Sequence, residues 1–133
     1  MKLYDVFISY SARDLETVKR LARKLEDGGL SVWYTHRDNE DDYAGTIVEA
    51  LDKSRCFVLV ASSASLDSQH VLAEVDLAFQ RRPDDITFKI LRLDPTPFPP
   101  AFRYYLSCEH WAESDAPTME ERIEAFAKYV MEQ

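Results

Sequence analysis

Only three glycines, Gly28, Gly29 and Gly45, occur in the 133 residues, and none lies in the first strand–helix turn that the pattern predicts. A G-x-G-x-x-G fingerprint or a P-loop is therefore absent, and with it the usual glycine-rich cradle for phosphate. Cysteine is scarce as well. Cys56 lies inside the apolar run Cys56-Phe57-Val58-Leu59-Val60 and Cys108 in a polar segment, the usage of buried free thiols in a reducing compartment rather than of a disulfide framework. The histidines His36, His70 and His110 are scattered, so no Cys/His spacing suggests zinc and no metal is expected. A G-x-S-x-G nucleophile elbow is missing too. Positive charge is in deficit: 16 Lys and Arg face 24 Asp and Glu, a net charge of −8. Such a surface repels nucleic acid and anionic membrane, and neither is expected as a direct partner. No apolar run approaches the ~20 residues of a membrane span. The opening Met1-Lys2-Leu3-Tyr4-Asp5 has no apolar signal segment, so a cytoplasmic location is expected.

What is present alternates between two periods. Asp5-Val6-Phe7-Ile8-Ser9-Tyr10 is rich in β-branched and aromatic residues and predicts a buried strand. Asp14 is placed to cap a helix whose apolar positions Leu15, Val18, Leu21, Ala22 and Leu25 keep helical spacing. Gly28-Gly29 should stop it, since glycine accepts the left-handed conformation beyond a helix end. Leu30 to Tyr34 predicts a second strand, residues 35–42 a polar loop, and Ile47, Ala50 and Leu51 the inner face of a second helix. The almost wholly apolar Cys56 to Ala61 predicts a central third strand. A small polar loop over 62–68 and a helix over 69–80 follow, then a fourth strand over 86–93. Pro95, Pro97, Pro99 and Pro100 predict an ordered loop without regular structure. A short strand including Glu109-His110-Trp111 and a closing helix from Met119 to Met131 complete the expectation.

Strand–helix alternation with short connections implies an α/β fold: a central parallel sheet of about five strands with helices on both faces. The whole chain, residues 1–133, is expected to form one domain, either complete or the N-terminal part of a longer sensor protein. Ligands in such folds bind beyond the carboxyl ends of the strands. That places Ser9-Tyr10-Ser11, the loop 35–42 and the loop 62–68 around one crevice. A phosphoacceptor receiver domain of similar architecture would need an aspartate at the end of the third strand, where Ala61-Ser62-Ser63 stands.

The residues also carry a resemblance. Tyr4-Asp5-Val6-Phe7-Ile8-Ser9-Tyr10-Ser11 with Asp14 soon after resembles the first box of Toll/interleukin receptor (TIR) domains. Gly29-Leu30-Ser31-Val32-Trp33-Tyr34 followed by a variable loop is similar to the family's second strand and mobile loop. Ser68-Gln69-His70-Val71-Leu72-Ala73-Glu74-Val75 resembles the helix motif that contains the catalytic glutamate. Tyr104-Tyr105-Leu106-Ser107 with His110-Trp111 is similar to the last box. The resemblance covers essentially the whole chain in the right order. It implies a flavodoxin-like TIR fold and, for the bacterial NAD⁺-consuming kind, an NAD⁺ glycohydrolase or ADP-ribose cyclase in anti-phage immune signalling. NAD⁺ is then the substrate, no further cofactor is needed, and activity depends on assembly with other TIR copies. The alternative within the family is a non-enzymatic TIR–TIR interaction module. Two positions depart from the pattern. Asn39-Glu40-Asp41-Asp42 stands where the mobile loop often carries proline and glycine, and His70 stands where tryptophan is often found.

The resemblance makes Glu74 the catalytic residue, and the chemistry allows one carboxylate to suffice. Glycosidases generally need a second carboxyl group to protonate a poor leaving group. Nicotinamide leaves as a neutral ring from a cationic one, so the site must only stabilise an oxocarbenium-like ribose and orient its hydroxyls. On a helical wheel Val71, Val75, Ala78 and Phe79 form the buried stripe, with Glu74 at its edge and His70 at i−4. The wheel by itself favours a solvated Glu74 paired with His70; the resemblance decides for catalysis. Ser9, Tyr10 and Ser11 are expected to meet the substrate at the end of the first strand, with strand-end packing and helix capping as the competing account. Arg37 is the expected phosphate partner, against an exposed pair with Asp38. His70 is placed to stack on the substrate. Trp33 and Trp111 are read as core aromatics, and Ser68 or Asp67 as the cap of the glutamate helix.

Overall fold

Apolar runs that can be buried on both faces form the centre of the sheet. A computed structural model describes residues 2–35, 44–81, 86–106 and 118–132. In it β1 (Tyr4–Ser9), β2 (Val32–Tyr34), β3 (Ser54–Ala61) and β4 (Thr87–Arg92) pair in parallel in the order β2-β1-β3-β4. The wholly enclosed Phe57, Val58, Leu59 and Val60 lie in β3, between two neighbours, as the lack of polar alternation predicts. The expected fifth strand, at Glu109-His110-Trp111, lies outside the described residues.

Two cores flank the sheet. On one face α1 (Leu15–Asp27) and α5 (Met119–Met131) cover Val6, Ile8, Val58 and Val60 with Val18, Leu21, Leu25, Ile123 and Phe126. On the other, α2 (Ala44–Asp52), α3 (Gln69–Phe79) and α4 (Pro100–Leu106) cover Phe7, Phe57, Leu59 and Ile90 with Leu51, Val71, Val75 and Phe102. Each such side chain contributes about 1.5–3 kcal/mol on burial. Trp33, Phe7, Phe57 and Phe88 are register partners on successive strands. Their rings follow one another at 5.0, 5.7 and 5.0 Å, an aromatic row across the four described strands on the face that α2, α3 and α4 cover. Trp33 is thus a packing residue, as expected.

The helix ends show local chemistry at work. Gly29 has φ +93°. Its amide donates to the Glu26 carbonyl at 2.9 Å and that of Leu30 to Leu25 at 3.1 Å, the paired bonds of a Schellman stop. Leu30 then packs on the core that contains Leu25. Ser68 caps α3 by accepting from the Val71 amide at 3.2 Å, as expected. Asp14 stands at the N-cap position of α1, yet its side chain makes no capping bond; it is engaged elsewhere, as shown below. The proline-rich segment also differs from expectation. Residues 95–99 hold no regular structure, but Pro100 opens α4. Proline suits the first helical position, where its missing N–H has no partner to lose.

Candidate functional site

The chain order reverses between β1 and β3, so the crevice of a parallel sheet belongs at their carboxyl ends. Ser9 ends β1 on the same face as Phe7, beneath α3, because alternate residues share a face. Glu74 sits in the second turn of α3. Val71, Val75 and Ala78 anchor that helix on the core, which leaves Glu74 half-buried at the edge of the apolar stripe. The two side chains meet. Ser9 Oγ donates to Glu74 Oε1 at 2.6 Å, joining positions 65 residues apart. Ser9 itself has no exposed surface (0%).

The other residues singled out in the sequence are distributed more widely. Tyr10 turns to the opposite core, where its ring meets Tyr34 edge-on at 6.1 Å and its hydroxyl donates to the Thr35 carbonyl. Ser11 accepts from the Arg13 amide at 3.3 Å and caps a 3₁₀ turn over Ala12–Asp14. His70 is exposed on α3, one turn before Glu74. Arg37 lies outside the described residues, as do Cys108 and Trp111.

Around the same carboxyl edge is a polar framework that the sequence reading missed. Ser62 Oγ donates to Asp14 Oδ2 at 2.6 Å. The Ser62 amide donates to Ser65 Oγ at 2.8 Å, and Ser65 Oγ donates to the Val60 carbonyl at 2.7 Å. The expected loop over 62–68 is thereby wound into a 3₁₀ turn at Ser65–Asp67. Asp94 accepts from the Ser63 amide at 2.9 Å and the Thr96 amide at 3.1 Å. Partial burial alone would raise its pKa, but the hydrogen bonds from Thr96 and Ser63, helped by the Arg92 charge, hold it below the ordinary carboxylate value. Arg92, the last residue of β4, lies over the Phe98 ring at 4.6 Å and donates to the Thr96 carbonyl at 2.5 Å. The Asp94-Pro95-Thr96 sequence was a usable signal, since aspartate two residues before an amide favours this turn.

Chemically, the edge offers a half-buried carboxylate with one oxygen held by an enclosed hydroxyl. Such a group can stabilise developing positive charge with little reorganisation. Among the described residues no cluster of three or more His, Cys, Asp or Glu could hold a metal ion. No described helix is long and apolar enough to cross a membrane.

Comparison with known proteins gives the architecture a family. The model of the TIR domain family matches residues 6–123. Among solved structures, the TIR domain of the Toll-related receptor TRR-2 from Hydra magnipapillata superposes with a TM-score of 0.75 at 18% identity, over 98% of this chain and 99% of that one. The RPS4 and RRS1 TIR domain heterodimer gives a TM-score of 0.66 at 16% identity, with 96% of each chain covered. A flavodoxin-like domain from Synechococcus gives 0.60 at 17% identity, over 97% of this chain and 100% of that one. At these identities the likeness concerns the fold. Comparison with curated protein sequences finds no match.

Proposed function

Because the chain belongs to the TIR domain family, with its flavodoxin-like α/β fold, we propose that it cleaves the nicotinamide–ribose bond of NAD⁺, with Glu74 as the catalytic carboxylate. The observation that carries this reading is the half-buried Glu74 at the carboxyl edge of the sheet, one oxygen bonded by Ser9 at 2.6 Å. As the C1′–N bond breaks, its electron pair leaves with nicotinamide, which departs neutral without a proton. The cationic ribose left behind is stabilised by the carboxylate. Water then bonds to C1′ and loses a proton, giving ADP-ribose; attack by a group within the same ADP-ribose gives a cyclic product instead. Partial desolvation strengthens the carboxylate's action on the developing charge.

The wider reading is a cytoplasmic bacterial enzyme of anti-phage signalling, activated when copies of the domain assemble. The heterodimer of RPS4 and RRS1 TIR domains is one assembly formed on this fold. Arg37 is proposed as the diphosphate partner, with Ser11 and His70 near the substrate. The test is direct: concentrate the protein or fuse it to an oligomerising module, incubate it with NAD⁺ and quantify free nicotinamide. Release that disappears in Glu74→Gln, with folding and assembly intact, supports the enzyme. Equal turnover by that variant removes Glu74 from the chemistry.

One observation favours the rival, a non-enzymatic TIR–TIR interaction module. Tyr104 on α4 is 74% exposed and meets Tyr105 edge-on at 5.1 Å, the kind of aromatic that interfaces favour. On that reading assembly persists, is weakened by Tyr104→Ala, and releases no nicotinamide.

A further inference from the structure

We propose that Ser9 is a positioning residue that acts on the reaction through Glu74, fixing the carboxylate with its hydroxyl rather than touching the substrate. The inference rests on the reading of Glu74 as the catalytic group. Three observations carry it. The Ser9 side chain is fully enclosed, so its hydroxyl does not reach a molecule in the crevice. Its Oγ donates to Glu74 Oε1 at 2.6 Å, well within hydrogen-bond distance. And Ser9 is held by the sheet, in register with Leu59 of β3, whereas Glu74 hangs from the edge of a helix.

The physical need is plain. A glutamate side chain has three rotatable bonds, and only some of their settings direct the carboxylate at a bound ribose. Fixing one oxygen from a rigid strand restricts those settings before substrate arrives. Catalytic groups must be held within a fraction of an ångström of the working geometry. A serine hydroxyl has one proton to give. Given to a carboxylate, that proton favours the ionised form. Ser9 thus acts on the geometry and on the protonation of Glu74 together.

The experiment compares Ser9→Ala, Ser9→Thr and Glu74→Gln with the wild-type chain, all in assembled form, by steady-state release of nicotinamide from NAD⁺ across pH. Ser9→Ala should lower kcat by roughly 10- to 100-fold while KM stays within about twofold. The acidic limb of its pH–rate profile should move to higher pH, because the ionised carboxylate has lost a donor. Ser9→Thr, which keeps the hydroxyl, should recover most of kcat and return the limb. A Ser9→Ala variant that raises KM with kcat intact, or that matches wild type in both rate and profile, overturns the proposal while a dead Glu74→Gln leaves the catalytic reading standing. A fully active Glu74→Gln, or an assembled wild-type chain that releases no nicotinamide, overturns both.

Discussion

The Ser62 hydroxyl donates to the Asp14 carboxylate at 2.6 Å, joining the end of β3 to the start of α1 across 48 residues. Asp14 therefore serves a tertiary contact instead of capping its own helix. Ser62 is almost fully buried, and a hydrogen bond to a charged group contributes about 1.5–3 kcal/mol. Ser62→Ala should lower the unfolding free energy by about 1–3 kcal/mol, seen as a lower denaturant midpoint at unchanged slope. A double-mutant cycle with Asp14→Asn should show clear coupling. Additive single effects would deny the link.

Acid should act through Asp94. Partial burial works against its ionised form, but the hydrogen bonds from Thr96 and Ser63 and the nearby Arg92 prevail and lower its pKa. A carboxylate with a depressed folded pKa contributes stability above its unfolded value, about 3.9, and loses it as pH falls through the folded one. Unfolding midpoints measured between pH 6 and 2.5 should thus fall more steeply for the wild type than for Asp94→Asn. Parallel curves would assign the acid sensitivity to other groups.

The Cys56 thiol gives an alkaline counterpart. Burial pushes its pKa up, with a Thr87 hydrogen bond and the Lys89 charge pulling weakly the other way. Folding then favours the protonated thiol, so the contribution is present below the unfolded value, about 8.5, and is lost as pH rises through and beyond it. In a Cys108→Ser background, Cys56 should resist a thiol-specific chromogenic reagent in the folded protein and react at once in denaturant. Rapid labelling of the folded chain at neutral pH would contradict its burial.

Substitution at the end of α1 separates two kinds of cost. At Gly29 an added Cβ would meet no atom within 4 Å, but φ is +93°, so Gly29→Ala should cost about 1 kcal/mol from backbone strain alone. At Gly28 the backbone is ordinary, with φ −83°, and the added Cβ meets the flexible end of Met131, which can swing aside. Gly29→Ala should therefore depress the thermal midpoint more than Gly28→Ala. The reverse order would mean that Met131 is held tightly.

Much of the architecture was legible because burial dictates periodicity. The wholly apolar 56–61 run announced an interior strand, and the stripe Val71, Val75, Ala78 oriented α3 well enough to set Glu74 at its margin. What escaped was tertiary polar bonding. No local pattern says that Asp14 will prefer a serine 48 residues away to its own helix end, or that Ser9 will find Glu74. Pro100 was misjudged for a different reason, since the same ring that excludes proline from a helix interior fits it to the first position. At the site, the sequence supplied the carboxylate and the strand end separately. Only the packing of α3 on β1 brings them together.

The aromatic row of Trp33, Phe7, Phe57 and Phe88 serves as a datum line for the crevice. Each of the four described strands passes through it at one level, so distance towards the ligand edge becomes a matter of counting residues. Ser9 stands two steps beyond Phe7, roughly 6.6 Å at about 3.3 Å per residue. One residue inserted between them would leave the row undisturbed and yet swing the hydroxyl to the far side of the sheet. The aromatic core thus measures out where chemistry can stand, although no ring in it need touch a substrate.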